Sequence, residues 1–260
     1  IKVINSSKIF PLIFLEVKAI ILCAGYATRL YPLTLDKPKS LLPIFGKPIL
    51  NYIIEKIEDI GGIDEIFVVI NDRFGDAFAG WLGDFGKFFE KKIKIINDGT
   101  NTNETRLGGI GDLDFAIKRE KISDDLLVIL GDNFFDFSLT SFLEFFKRTK
   151  RICVGVYDLK DKEQAKKFGV LKVGNNRLIS FEEKPQNPES TIISTGIYLF
   201  PREDLKRVSD YMKTDKSKDG PGYFILDLLK TQEIHTFEFK GKWFDIGTKE
   251  IYERVNETGI

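Results

Sequence analysis

Histidine, cysteine and methionine are nearly absent: the 260 residues hold one His (His235), two Cys (Cys23 and Cys153) and one Met. A lone histidine without a titratable partner argues against a Ser/His or Cys/His nucleophilic pair. Two cysteines cannot build a disulfide framework, and both lie in apolar, strand-like runs where a buried reduced thiol is expected. That usage fits a cytoplasmic protein. An excess of either charge is also lacking, because 39 Lys+Arg balance 39 Asp+Glu. Zero net charge without a basic run argues against nucleic acid or a membrane surface as partner. The apolar segment 9–15 is too short to cross a bilayer, and Glu16 and Lys18 follow it without a small-residue cleavage site. Residues 1–16 are therefore read as an N-terminal extension. No Pro- or Ser-rich linker, internal repeat or low-complexity tract divides the remainder.

What is present is an alternation of apolar runs and helical patterns. Strands are expected at 17–22, 65–70, 92–96 and 126–130, with helices at 48–60, 74–89 and 110–118 between them. The strands are almost continuously apolar, as in a parallel sheet covered on both faces. The second half is looser, with a helix at 139–149 and strands at 153–157, 169–173, 177–182, 192–200 and 236–239. Gly174-Asn175-Asn176 is a hairpin turn between two of these strands. Helices are expected at 222–229 and 246–256, with a mobile polar loop at 213–222. The reading is an α/β fold, with a Rossmann-like mixed, mainly parallel sheet flanked by helices and a smaller part built from the second half.

The chemistry concentrates in a few stretches. Strand 17–22 runs into Cys23-Ala24-Gly25-Tyr26-Ala27-Thr28-Arg29, and Lys39-Ser40-Leu41-Leu42-Pro43 follows. Small residues let backbone N–H groups approach an anion, and Arg29 and Lys39 would neutralise it, as a nucleoside triphosphate requires. Strand 126–130 ends in Gly131-Asp132-Asn133, where ligands bind in open parallel sheets. Asp245 stands between bulky apolar residues and Gly247-Thr248, so its carboxylate wants a partner, either a cation or backbone N–H groups. Together Asp132 and Asp245 make a plausible two-carboxylate Mg²⁺ site. Lys184 precedes Pro185 and is expected to be extended, aimed into a cleft. A second Gly-rich turn, 107–111, opens a helix. Asp112-Leu113-Asp114 lies inside that helix and reads as a solvated face rather than a metal-binding pair.

These stretches, with Thr195-Gly196-Ile197-Tyr198 and 243–248, resemble the sugar-1-phosphate nucleotidylyltransferases. That family includes glucose-1-phosphate thymidylyl- and uridylyltransferases and mannose-1-phosphate guanylyltransferases. The likeness runs from about Val17 to Asn256. It implies the nucleotide-diphospho-sugar transferase fold with a small sugar-binding subdomain. It implies a single catalytic domain over 17–260, with a nucleotide half at about 17–137 and a sugar half at about 138–260. It also implies the reaction NTP plus sugar 1-phosphate giving NDP-sugar plus pyrophosphate.

By this resemblance Asp132 and Asp245 hold Mg²⁺, while Arg29 and Lys39 bind the triphosphate. Lys184 holds the sugar phosphate, and Gly169, Glu183 and Thr195 contact the sugar. Leu22, Ala24, Gly25, Tyr26, Ala27, Thr28 and Gly108 frame the nucleotide, with Asn103 at the base edge. Tyr26 and Ala27 depart from a loop usually richer in glycine; Ala27 fits if its φ is negative. Tyr26 is expected to cover the phosphates or stack nearby. The resemblance favours glucose 1-phosphate with dTTP or UTP. Mannose 1-phosphate with GTP and phosphocholine with CTP are the alternatives, and a non-catalytic nucleotide-sugar-binding regulatory subunit is the reading of a different class. The chain ends soon after the catalytic region, so no acetyltransferase activity is expected. Homo-oligomerisation is left open.

Overall fold

Val17, Ala19 and Ile21 of the first strand enter one hydrophobic core, and Ile20 and Leu22 enter another. The period of two thus divides one strand between two cores, as a sheet covered on both faces demands. The computed structural model describes residues 16–258. The expected extension 1–16 lies, apart from Glu16, outside the described residues.

The first strands are β1 (Val17–Leu22), β2 (Pro43–Ile44), β3 (Lys47–Pro48), β4 (Ile63–Ile70), β5 (Lys92–Asn97), β6 (Asp125–Leu130) and β7 (Asn133–Phe135). The later strands are β8 (Ile152–Asp158), β9 (Gly169–Gly174), β10 (Arg177–Glu183), β11 (Ile192–Phe200), β12 (Ile234–Glu238) and β13 (Trp243–Asp245). Helices are α1 (Ile49–Glu58), α2 (Gly75–Phe85), α3 (Gly109–Glu120), α4 (Thr140–Thr149), α5 (Lys162–Ala165), α6 (Lys206–Met212), α7 (Pro221–Leu228) and α8 (Lys249–Thr258).

Nine strands form one mixed sheet in the order β5-β4-β1-β6-β11-β8-β12-β10-β9. β5, β4, β1 and β6 are mutually parallel, whereas β11 runs antiparallel to both β6 and β8. The α/β fold is therefore the expected one, with parallel pairing unbroken across the first half and mixed in the second. α1, α2 and α4 cover one face through Ile53, Phe78 and Phe146; α3, α6 and α7 cover the other through Leu113, Val208 and Phe224. α1 begins directly after Pro48, whose missing N–H costs nothing at a helix start. The hairpin turn is as expected: Asn175 and Asn176 both have positive φ, which two-residue turns require. His235 is a strand residue on β12, and both cysteines are buried free thiols. Burial pushes each thiol up to about 12.

The expected helix 74–89 is shorter, because α2 stops at Phe85 and a 3-10 turn follows at Gly86. Among the described residues no helix is long and apolar enough to cross a membrane.

Candidate active site

Three peptide segments meet at the carboxyl ends of β1, β4 and β6. Cys23 N–H donates to Val69 O and Gly131 N–H to Leu22 O, so the loop after β1 is stitched between its neighbours. A Cβ on Gly131 would lie 2.4 Å from Cys23 Sγ and 2.9 Å from Leu22 O, so only glycine fits this junction. Asn71 Nδ2 donates to Ala24 O at 2.9 Å and holds the loop from below. The loop then turns through Ala27, whose φ is +48°, and Thr34 Oγ1 donates to Ala27 O. The condition of a negative φ at Ala27 is not met: the left-handed turn, ordinarily a glycine conformation, is made with a Cβ. It leads into a 3-10 turn that carries Arg29. Tyr26 does not cover the phosphate region; it is buried, and its hydroxyl donates to Thr100 Oγ1 at 3.1 Å.

Asp132 stands just beyond β6. Asp245 reaches it through the two-stranded ribbon of β7 and β13, in which Asp245 pairs with Asn133. Ile246 N–H donates to Asp132 O at 3.0 Å, and Trp243 Nε1 donates to the buried Asn133 Oδ1 at 2.5 Å. These bonds fix both carboxylates to one ribbon. Asp245 therefore does not cap a helix, since α8 begins only at Lys249.

Lys39 Nζ lies 2.7 Å from Asp132 Oδ2 and 3.6 Å from Asp245 Oδ1. Burial lowers the Lys39 pKa, but the two carboxylates more than offset that and hold it above the ordinary lysine value. Asp245 is pushed up to about 6, first by burial and then by the charge of Asp132, against Lys39 and Arg29. Its buried Oδ1 accepts no hydrogen bond.

Two hollows meet here. A slot of about 530 Å³ is lined by Leu22, Ala24, Gly25, Tyr26, Ala27, Thr28, Arg29, Lys39, Asn103, Gly108 and Asp132. A recess of about 200 Å³ is lined by Gly169, Glu183, Lys184, Thr195 and Asp245. Arg29, Asp132, Gly220 and Pro221 line both. Every residue that the resemblance places in the site lines one hollow or the other. The slot is lined by the cations Arg29, Lys39 and Arg106 and also by Asn103, Gly108 and Asp112.

Details of the recess differ from expectation. Lys184 is not extended: its φ is +50°, and its N–H donates to Phe168 O. The turn that closes β10 against the segment before β9 overrides the preference of a residue preceding proline. A Cβ on Gly169 would meet Phe181 Cζ at 2.3 Å, and one on Gly222 would meet Glu183 Oε2 at 2.5 Å. The two glycines thus clear the space that Glu183 occupies. Burial raises the Glu183 pKa, with Lys184 opposing. The Thr195 hydroxyl donates to Gly155 O at 2.8 Å, so it faces the recess only as an acceptor.

Sequence reasoning missed two features. Asp112 and Asp114 are 6% and 7% exposed, so the solvated-face reading is overturned. Asp114 Oδ1 accepts from Ser209 on α6, and its Oδ2 pairs with Lys118, which accounts for its burial. The signal was the period of α3, which sets Asp112 one turn before the buried Ala116. The second feature is the segment 218–221, expected as part of a mobile loop. Gly109 N–H donates to Asp219 O and Ile110 N–H to Lys218 O, and Arg106 pairs with Asp219 Oδ1 at 3.0 Å. That segment walls the slot.

The family model described as "Nucleotidyl transferase" matches residues 18–259. The chain belongs to the nucleotidyl transferase family. Among curated relatives, a protein of Sulfolobus acidocaldarius with the provisional name mannose-1-phosphate guanyltransferase is 32% identical over 241 residues, 92% of this chain and 62% of its own length. Bifunctional protein GlmU of Methanocaldococcus jannaschii is 32% identical over 88% of this chain and 51% of its own length. The chain spans about half to three-fifths of the length of these curated relatives. A crystal structure from Bacillus anthracis, provisionally named a glucose-1-phosphate thymidylyltransferase, superposes with a TM-score of 0.77 at 27% identity. It covers 93% of this chain and 94% of its own. The fold is thus shared with that structure along nearly the whole of both chains.

Proposed function

We propose that the protein joins a nucleoside triphosphate to a sugar 1-phosphate, releasing pyrophosphate and forming an NDP-sugar. The observation that carries this reading is the convergence of Arg29, Lys39, Asp132 and Asp245 where slot and recess meet. A sugar-phosphate oxygen entering from the recess forms the new bond to the α-phosphorus, and the bond from that phosphorus to the bridging oxygen of pyrophosphate breaks. The attacking phosphate is already anionic near neutral pH, so no general base is required. Catalysis is then positioning and charge stabilisation.

In this reading Arg29 and Lys39 neutralise the triphosphate, and Arg29 offers a planar fork to the departing pyrophosphate. Lys184 holds the sugar phosphate, while Glu183, Gly169 and Thr195 shape the sugar side. Residues about 17–137 supply the nucleotide half and about 138–260 the sugar half. The donor set fits a divalent cation: two adjacent carboxylates, with the buried Asp245 Oδ1 lacking a hydrogen bond and its pKa raised by burial and then by the charge of Asp132. Asp132 and Asp245 would hold Mg²⁺, which would supply charge stabilisation at the α-phosphate.

Glucose 1-phosphate with dTTP or UTP is the pair favoured by the resemblance. The guanyltransferase name of the Sulfolobus relative supports a second reading with mannose 1-phosphate and GTP. The test is pyrophosphate release with Mg²⁺ across five NTPs (ATP, GTP, CTP, UTP and dTTP) and a panel of sugar 1-phosphates with phosphocholine. One strongly preferred pair supports an enzyme of this reaction. Silence across the panel, with nucleotide binding retained, favours a nucleotide-sugar-binding regulatory subunit.

A further inference from the structure

Burial is inverted in the loop that follows the 3-10 turn carrying Arg29. Tyr31 and Leu35 are 40% and 41% exposed, whereas the polar Thr34 between them is 0% exposed. A buried hydroxyl needs a partner, and Thr34 Oγ1 donates to Ala27 O at 2.9 Å. Asn71, also fully buried, serves the earlier part of the same small-residue loop. Its Nδ2 donates to Ala24 O at 2.9 Å, while its Oδ1 accepts from Phe74 N–H. Neither Thr34 nor Asn71 lines the slot or the recess, and the reaction above gives neither a part.

These two bonds set the direction of two peptide planes. The 24–25 and 27–28 peptides are trans. In a trans peptide the C=O and the following N–H point in opposite directions. With Ala24 O held by Asn71 and Ala27 O by Thr34, the N–H groups of Gly25 and Thr28 are turned away from those two residues. Ala24, Gly25, Ala27 and Thr28 all line the slot, and neither N–H donates to a described residue. Successive N–H groups left open in this way are donors for an anion. Ala27 needs the support, because its left-handed backbone (φ +48°, ψ +42°) is opposed by its own Cβ. Leu30 N–H adds a second bond to the same Ala27 O, at 2.9 Å.

Resting on the nucleotidyltransferase reading, we propose that Thr34 and Asn71 are positioning residues of the triphosphate loop. They draw two carbonyl oxygens out of the slot, so that Gly25 and Thr28 present N–H groups to the phosphates of the NTP. Both act through the backbone and touch no substrate. A peptide freed of its buried donor can rotate, and its carbonyl oxygen then faces the polyphosphate, which exchanges an attractive dipole for a repulsive one. Arg29 follows Thr28 directly, so the bond to Ala27 O also sets the start of the turn that carries the guanidinium.

The experiment uses the full chain and inorganic tripolyphosphate with Mg²⁺, a probe that carries the phosphates without base or sugar. In the wild type, the amide proton signals of Gly25 and Thr28 should move downfield when tripolyphosphate is added, as N–H groups do when they donate to an anion. Thr34→Val keeps the shape and removes the hydroxyl. It should weaken tripolyphosphate binding, read by calorimetry, by at least about tenfold, the worth of one hydrogen bond to a charged group. Thr34→Ser restores the donor and should stay within about twofold of the wild type. Asn71→Ala removes the other donor and should act as Thr34→Val does. In turnover, Thr34→Val should raise KM for the NTP by about tenfold while KM for the sugar 1-phosphate moves by less than about twofold, a split that a general loss of structure does not produce.

Silent Gly25 and Thr28 amides with tripolyphosphate bound, or an unchanged affinity in folded Thr34→Val, overturns the proposal while leaving the enzyme reading intact. Equal losses in Thr34→Ser and Thr34→Val also overturn it. Amide shifts and weakened binding in a chain that turns over no NTP with any sugar 1-phosphate keep the proposal and overturn the enzyme reading. Binding of neither tripolyphosphate nor any NTP overturns both. The amide shifts are read in the wild type, so that test stands even if Thr34→Val and Asn71→Ala do not fold.

Discussion

Lys39 Nζ lies 2.7 Å from Asp132 Oδ2, inside a site where Asp245 is also within 3.6 Å. The lysine is 13% exposed and is the cation in closest contact with this carboxylate pair. It therefore offsets the repulsion that would otherwise oppose placing Asp132 and Asp245 together. Replacing it with Met keeps much of the stem but removes the charge. Lys39→Met is expected to lower kcat/KM by about a hundredfold or more, the usual scale for loss of one charge-stabilising group. Without nucleotide, the variant should gain more thermal stability from added Mg²⁺ than the wild type does. Melting curves with and without MgCl₂ check this; an unchanged Mg²⁺ response would show that Lys39 and the metal do not share the carboxylates.

Asp245 carries the strain of the pair. Its burial and the charge of Asp132 raise its pKa, so its ionised form is costly in the folded protein. Asp245→Asn removes that charge with little change of shape. The variant should melt no lower than the wild type at neutral pH while Mg²⁺-dependent turnover falls by at least about a hundredfold. Asp132→Asn should lose turnover likewise. Retained activity in both variants would remove these residues from the metal site.

Arg29 and Lys184 address different substrates. Arg29 lines both hollows, whereas Lys184 lines only the recess. Arg29→Lys should raise KM for the triphosphate by about tenfold, because an ammonium cannot reproduce a planar donor fork. Lys184→Ala should instead raise KM for the sugar 1-phosphate and leave that for the NTP nearly unchanged. Steady-state kinetics with each substrate varied in turn separate the two, and a selective loss of triphosphate affinity in Lys184→Ala would reassign that lysine.

The sequence was most legible where local rules and packing agree. β1 and β6 are apolar runs ending in small residues, and the positions of Arg29 and Asp132 at their carboxyl ends follow from that pattern. The pairing of Asp132 with Asp245 was suggested by the local setting of each carboxylate, but its cause lies in long-range register: β13 pairs with β7, 110 residues apart at the Trp243–Asn133 hydrogen bond. No local pattern contains that. The backbones of Ala27 and Lys184 were misread for a related reason. Each adopts positive φ because its surroundings demand a turn there, with Thr34 bonding Ala27 and Phe168 bonding Lys184. Propensity describes the residue in isolation, and tertiary contacts overrode it. Asp112 was hidden differently: a charged residue on a helix reads as solvated by default, and only the period of α3, which sets it one turn before the buried Ala116, speaks against that.

That burial gives the last prediction. Asp112 titrates near 3.8 when free and is pushed up to about 8 in the fold, by burial first and by Asp98 second. A carboxyl group with a raised folded pKa binds more protons folded than unfolded across the interval between the two values. Its stabilising contribution is complete below about 3.8 and is lost as pH rises through about 8, beyond which no further change follows. Asp112→Asn mimics the protonated form at every pH. The melting temperature of the wild type should therefore fall relative to Asp112→Asn between pH 5 and 8, by at least about 2–4 °C, the shift that one kcal/mol produces in a domain of this size. Above about pH 8 the gap should level off. Because Asp98 faces Asp112, the transition belongs to the pair, and Asp98→Asn should move it towards lower pH. Parallel melting curves for wild type, Asp112→Asn and Asp98→Asn across this range provide the check. A gap that is flat with pH would mean that Asp112 is ionised in the fold and that the hydrogen bond to Asp98 does not form.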